Sequence, residues 1–177
     1  GGVTANVILN YKIYEKCNVK NIFICPPMGD EGSALGAAIL AAIEKKQDIK
    51  WISDYEMPYW GPSYNKDQVL LVLKNNNKKI LFKDCETNWT KKAANNIINN
   101  KIIAVFQGGM EFGPRALGNR SILANAADPE MRSKINLSIK RRPKYHPFCP
   151  AVLDEDREQL FLNSFLHKFM ATAFLMK

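Results

Sequence analysis

Lys101-Ile102-Ile103-Ala104-Val105-Phe106-Gln107-Gly108-Gly109-Met110-Glu111-Phe112-Gly113-Pro114-Arg115-Ala116-Leu117-Gly118-Asn119-Arg120-Ser121 is the stretch whose reading decides the fold. Residues 101–107 form an apolar, β-branched run that stops at two glycines, the pattern of a buried strand. Residues 110–121 hold no apolar run of their own: one acid, two arginines, Gly113, Pro114 and Gly118, and a closing hydroxyl at Ser121. Glycine frees the backbone and proline fixes it where a loop turns sharply. Arg115 and Arg120 each offer a planar fork of donors to a carboxylate or phosphate. The segment therefore reads as an anion-holding loop at the carboxyl end of a strand, where open α/β sheets place their ligands.

Outward from that loop the charge is uneven. The chain has 177 residues, 46% of them hydrophobic, and a net charge of +8. Arg132, Lys134, Lys140, Arg141, Arg142 and Lys144 fall within residues 132–144, which hold no acid. A solvated face and an anion site are both open readings of such a run, and its place after the Arg115/Arg120 loop favours a phosphate site. Nucleic acid ranks second, because a basic stripe is also the footprint of a backbone binder, yet no ladder of aromatic residues accompanies it. No stretch reaches the ~18 apolar residues of a membrane span. The four cysteines form no C-x-x-C pair and only two histidines are present, His146 and His167, which argues against structural zinc and for reduced thiols in a cytoplasmic protein. Gly1-Gly2 without an initiating Met reads as an internal segment of a longer polypeptide, with a cloning remnant as the bland alternative.

Hydrophobic periodicity and turn residues predict an alternating α/β order. Thr4 is the expected N-cap of a helix through Ile13, and Asn21–Cys25 the expected buried strand, stopped by Pro26-Pro27. A small-residue helix runs from Ala34 to Lys45 after a start at Gly32 or Ser33. Residues 47–64, rich in Trp, Pro and Tyr, read as a surface-hugging linker with a domain boundary near residue 55. Beyond it we expect helices at 67–75 and 88–100, strands at 79–82, 101–107, 121–125 and 149–153, a helix from Pro129 to about Ile139, and another from Glu155. The Asn/Lys run from Lys74 to Lys79 is a biased surface turn.

The run F-Q-G-x-M-E-F-G-P-R-A-L-G-N-R-S-I-L resembles the signature of the O-carbamoyltransferases related to nodulation and antibiotic-tailoring enzymes. Two further blocks are similar to the same family in the same order. Upstream stand Gly1-Gly2-Val3-(x)2-Asn6 and Pro26-(x)2-Gly29-Asp30-x-Gly32-(x)2-Leu35-Gly36-Ala37-Ala38. Downstream stand Asn136-(x)3-Lys140-x-Arg142 and Pro147-Phe148-x-Pro150-Ala151-Val152-Leu153. The resemblance implies an α/β chain in which residues 1–55 close an actin/sugar-kinase-like acceptor domain and residues 56–177 form an incomplete YrdC-like domain. The rest of the acceptor domain would lie upstream in the same polypeptide. Its implied chemistry is ATP- and Mg2+-dependent conversion of carbamoyl phosphate into carbamoyl-adenylate, followed by transfer to an alcohol acceptor.

By that resemblance Arg115, Arg120, Lys140 and Arg142 hold phosphate and carbamoyl oxygens, Asn119 and Ser121 orient them, and Gly113 shapes the loop. Glu111 either holds an arginine or substrate amide, or forms an internal salt bridge with Arg115 or Arg120; both readings stay open. Gly2 and Asn6 resemble the nucleotide-side loop of the first domain, with an ordinary helix start as the alternative. Asp30 is implied as a ligand of iron(II) or a similar divalent metal, its usual partner histidines lying upstream; read alone, it is a loop or capping carboxylate. Gly109, Pro143 and His146 depart from the family pattern, which more usually has arginine, glutamate and arginine there. Two other readings stand behind this one: a carbamoyl-adenylate-forming module of the hydrogenase-maturation or tRNA-threonylcarbamoylation type, and a non-catalytic basic module that binds RNA.

Overall fold

The computed structural model describes residues 2–52, 56–76 and 80–177. The chain divides into two compact units: residues 1–61, 110–117 and 151–177, and residues 62–109 and 118–150. The boundary expected near residue 55 falls outside the described residues.

In the first unit, a short turn at Gly2–Ala5 leads into helix α1 (Val7–Lys16). Asn6, not Thr4, caps it: Asn6 is extended and its side-chain oxygen accepts the Leu9 N–H at 3.0 Å, satisfying one of the orphan donors of the first turn. Helix α2 spans Asp30–Glu44, starting four residues before the sequence pattern suggested because Gly29 takes the cap position. The expected strand at Asn21–Cys25 pairs with no other strand among the described residues. Its side chains still alternate, Ile24 buried and Phe23 exposed, so the pleat is legible although no ladder forms. Ile24, Met28 and Ala171 make the buried cluster, with Ala5 and Ile22 against it.

The last segment of this unit corrects two expectations. Cys149–Leu153 forms no strand, and Pro150, lacking an N–H, could not have donated to one. The helix expected from Glu155 is a turn at Asp154–Asp156 and one α-helical turn, α6 (Arg157–Leu160). The strand that follows α6, Phe161–Leu162, pairs antiparallel with Leu175–Met176. The segment between them is tied down at depth: Asn10 donates from Nδ2 to the carbonyls of Thr4 at 2.7 Å and Ala171 at 2.6 Å.

His167 sets the pH response of that segment. Its Nε2 accepts the Ala171 N–H at 2.9 Å, and its ring meets Phe165 and Phe169 edge-on. Burial pushes the imidazole below its ordinary value of 6.5. A group whose folded pKa is depressed contributes stability above its unfolded pKa and loses it as pH falls from there toward the folded value. The Lys168–Glu56 ion pair at 2.7 Å is the adjacent charged contact. Amide protection factors over residues 165–174, with the intrinsic pH dependence of exchange divided out, should therefore fall on acidification below pH 6.5 in the native protein. They should stay level in His167→Gln, which keeps an acceptor that does not titrate; identical pH profiles of protection would remove His167 as the cause.

In the second unit, α3 (Lys66–Asn75) opens on a reciprocal capping box between Asn65 and Gln68, and α4 spans Trp89–Ile98. The strand expected at 79–82 begins on a residue outside those described, and Ile80–Phe82 carry no strand. Strands β1 (Ile103–Phe106) and β2 (Arg120–Leu123) pair antiparallel, Phe106 opposite Arg120 and Val105 opposite Ser121. The open-sheet expectation is thus corrected to short antiparallel pairs within an α/β chain. The helix expected at 129–139 is one α-helical turn, α5 (Met131–Lys134), that widens into a π-turn over Ile135–Ile139. Among the described residues no helix is long and apolar enough to cross a membrane.

Candidate functional site

The signature residues 110–117 belong to the first unit, where backbone bonds pin them to the Trp/Pro/Tyr segment read as a linker. Phe112 donates its N–H to the Pro58 carbonyl at 2.8 Å and Gly61 donates to the Met110 carbonyl at 3.0 Å. The Phe112 ring packs on Trp60, 5.8 Å between centroids. Glu111 accepts the Leu117 N–H at 3.0 Å, while the Tyr59 hydroxyl donates to the Leu117 carbonyl at 2.7 Å. Both ends of the turn are thereby fixed. Burial first, and the Glu111 carboxylate second, push the Tyr59 phenol up, so it stays a donor at neutral pH.

Arg115 is the exception in this packed turn. One terminal nitrogen reaches the Ala5 carbonyl at 3.4 Å, but its Nε is shielded from solvent with no hydrogen-bond partner among the described residues. A buried guanidinium N–H without an acceptor is costly. Gly113 lets this turn lie against the Pro26 backbone: its φ is +128°, and a Cβ there would stand 2.8 Å from the Pro26 carbonyl oxygen.

The Pro26–Ser33 turn of the same unit borders a cavity of about 220 Å³ lined by Thr4, Cys25, Met28, Gly29 and Ser33 among others. Burial pushes the Cys25 thiol up, away from thiolate. Glu31 folds back to accept the Gly29 N–H at 3.1 Å. Gly2 lies exposed in the first turn, and Asn6 serves as a helix cap. Asp30 is the exposed first residue of α2. Among the described residues no group of three His, Cys, Asp or Glu could hold a metal ion.

Asn119, Arg120 and Ser121 come together in the second unit around Gln107–Gly109. Gln107 donates its N–H to the Asn119 carbonyl at 3.0 Å. Asn119 is buried and donates from Nδ2 to the Gly109 carbonyl at 2.7 Å. The Ser121 hydroxyl accepts the Gly118 N–H at 2.9 Å. Arg120 turns its fork onto loop carbonyls, Gln107 at 2.6 Å and Asn119 at 2.9 Å, with its guanidinium carbon 3.7 Å from the Phe106 ring centroid. In this arrangement these side chains bind the loop to itself.

Lys140 and Arg142 lie on a basic turn of the same unit. The π-turn closes through Lys140 N–H to the Ile135 carbonyl at 2.9 Å, and Arg141 follows at φ +48°, a left-handed conformation for a residue with a side chain. Lys134 pairs with Asp128 at 2.9 Å. No acidic side chain pairs with Lys140, Arg141, Arg142 or Lys144 among the described residues. The departures from the family pattern act here through backbone: the Gly109 carbonyl accepts Asn119, the Pro143 carbonyl accepts the His146 N–H at 3.2 Å, and the His146 carbonyl accepts Asn136. Phe106 opens the signature and Asn136 the downstream block, yet neither has an assigned role there, and Tyr59 lies outside both. An Asn inside the apolar stretch Ile135-Asn136-Leu137 was the available signal.

Comparison with known proteins matches residues 1–39 to the family model described as "Carbamoyltransferase N-terminus" and residues 94–177 to "Carbamoyltransferase C-terminus". An uncharacterized protein of Methanocaldococcus jannaschii is 54% identical over all of this chain, which covers 29% of that protein. Nodulation protein NolNO of Sinorhizobium fredii is 37% identical over 91% of the chain, covering 24% of that protein. Nodulation protein NolO of Bradyrhizobium diazoefficiens is 36% identical over 91% of the chain, covering 29% of it. The chain thus spans under a third of the length of each of these relatives.

Proposed function

This chain belongs to the carbamoyltransferase family, and from that premise we propose that it supplies the anion-holding part of an ATP-dependent O-carbamoyltransferase. In this reading residues 1–55 close an actin/sugar-kinase-like acceptor domain, residues 56–177 contribute to a YrdC-like domain, and the whole works in the cytoplasm. The observation that carries the reading is the basic turn: Lys140, Arg141, Arg142 and Lys144 have no acidic partner among the described residues, on a backbone closed by its own hydrogen bonds. Like charges repel one another, and a bound polyanion offsets that repulsion.

The reaction needs such a site twice over. Carbamoyl phosphate gives up phosphate to water, leaving carbamate. A carbamate oxygen then attacks the α-phosphorus of ATP, which arrives with Mg2+, and pyrophosphate departs. The resulting carbamoyl-adenylate is attacked at its carbonyl carbon by the acceptor alcohol; the alcohol loses its proton and AMP leaves. Every reactant but water and the alcohol is an anion, so positioning and fixed positive charge do most of the catalysis. Within the second unit Arg142 and Lys140 hold phosphate oxygens, and Asn119, Arg120 and Ser121 keep their own loop in register; within the first, Arg115 offers the terminal nitrogens of its guanidinium to an anionic group from the turn that Glu111 and Gly113 shape. Gly2 and Asn6 border the nucleotide side, and Asp30 offers its exposed carboxylate at the start of α2.

In the full-length protein, pyrophosphate should appear only when ATP and carbamoyl phosphate are both present, and Lys140→Ala should lower its rate about tenfold or more, as for loss of one charged contact. Pyrophosphate release independent of carbamoyl phosphate would exclude the adenylate route.

A further inference from the structure

We infer that Asn136 is the positioning residue of the phosphate site, holding the Arg142 guanidinium in its anion-receiving orientation before any ligand arrives; this rests on the reading of the basic turn given above. Asn136 is 0% exposed. Its amide is fully engaged by one short stretch of chain: Nδ2 donates to the carbonyls of Lys144 at 3.3 Å and His146 at 2.9 Å, and Oδ1 accepts Arg142 Nε at 2.7 Å. Its own carbonyl accepts the Arg142 N–H at 3.0 Å.

One buried amide therefore fixes both ends of the Arg142–His146 turn and the root of the arginine side chain. The guanidinium carbon of Arg142 sits 4.9 Å from the Phe148 ring centroid, which holds the plane from another side. Fixing Nε this way leaves the two terminal nitrogens as the outward fork, and no acidic side chain pairs with them among the described residues. A bidentate acceptor such as a phosphate matches a fork held in that way. A long, flexible cation loses rotamer freedom when it binds; here that loss has already occurred on folding, so binding is tighter. The left-handed Arg141 beside it, φ +48°, is what the tight closure requires of the chain.

The test is a double-mutant cycle in the full-length protein, read by calorimetry with carbamoyl phosphate and, separately, inorganic phosphate. Arg142→Gln and Asn136→Ala should each weaken binding about tenfold, the loss expected of one charged hydrogen bond, while the double variant binds no worse than Arg142→Gln alone. Additive losses, or native affinity in Asn136→Ala, overturn the inference and leave the site itself standing. If the unmutated protein binds neither probe, the phosphate reading of the turn falls and this inference with it. The Arg142 Nε proton gives a readout in the unmutated protein that no folding failure can obscure. Slow solvent exchange with a resonance that moves on phosphate addition supports the preset fork; rapid exchange in the ligand-free protein overturns it.

Discussion

Gly113→Ala is expected to destabilise the first unit by about 3 kcal/mol or more, combining a left-handed penalty of roughly 1–2 kcal/mol with an overpacking cost of ~1–3 kcal/mol. At φ +128° the added methyl would stand 2.8 Å from the Pro26 carbonyl oxygen, a backbone atom that cannot rotate away as a side chain would. Exposed Pro114, one residue on, serves as the control: Pro114→Ala should change the melting midpoint little. Equal losses in the two variants would show that the loop, not the close approach at Gly113, is the sensitive feature.

Arg115→Met should move stability and function in opposite directions. The apolar replacement removes a shielded Nε that has no acceptor among the described residues, at the expense of one 3.4 Å contact to the Ala5 carbonyl. Replacing an unsatisfied buried donor by an apolar group of similar shape is near neutral or stabilising, whereas losing a charged hydrogen bond to a ligand costs about 1.5–3 kcal/mol. Ligand-free Arg115→Met should therefore melt at or above the native temperature and bind ATP or carbamoyl phosphate ten- to about a hundredfold more weakly. A variant that melts well below native while binding normally would make Arg115 a structural strut and remove it from the anion site.

Helices α3 and α4 were legible because their determinants are local. Asn65 and Gln68 announce α3 within four residues, and the apolar spacing of 89–98 announces α4. Thr4 was a plausible cap by type, but capping is decided by which side chain meets an N–H three residues on, and Asn6 does. The apolar runs at 21–25 and 149–153 looked like strands by composition, whereas a strand also needs a neighbour's donors and acceptors. Arg115 and Arg120 were indistinguishable as charges in a glycine-bounded loop. Only three-dimensional structure separates a fork turned onto the Gln107 and Asn119 carbonyls from one whose Nε has no acceptor. Asn136 stands in the downstream block, but its role was not legible there: two of its three side-chain partners are main-chain carbonyls, which carry no residue identity.

The order in which the two units gather their segments bears on how the protein is made. Residues 62–109 and 118–150 leave the ribosome before the segment 151–177 that the first unit still awaits. Ile24 and Met28 must therefore wait for Ala171 to emerge, and Asn10 stays without one of its two carbonyl partners until the chain has grown 161 residues further. During that interval early apolar side chains have only transient cover, the condition in which nascent chains are most dependent on holdase chaperones. Synthesis that pauses between residues 150 and 171 should lengthen that dependence, while the later-starting unit can already close.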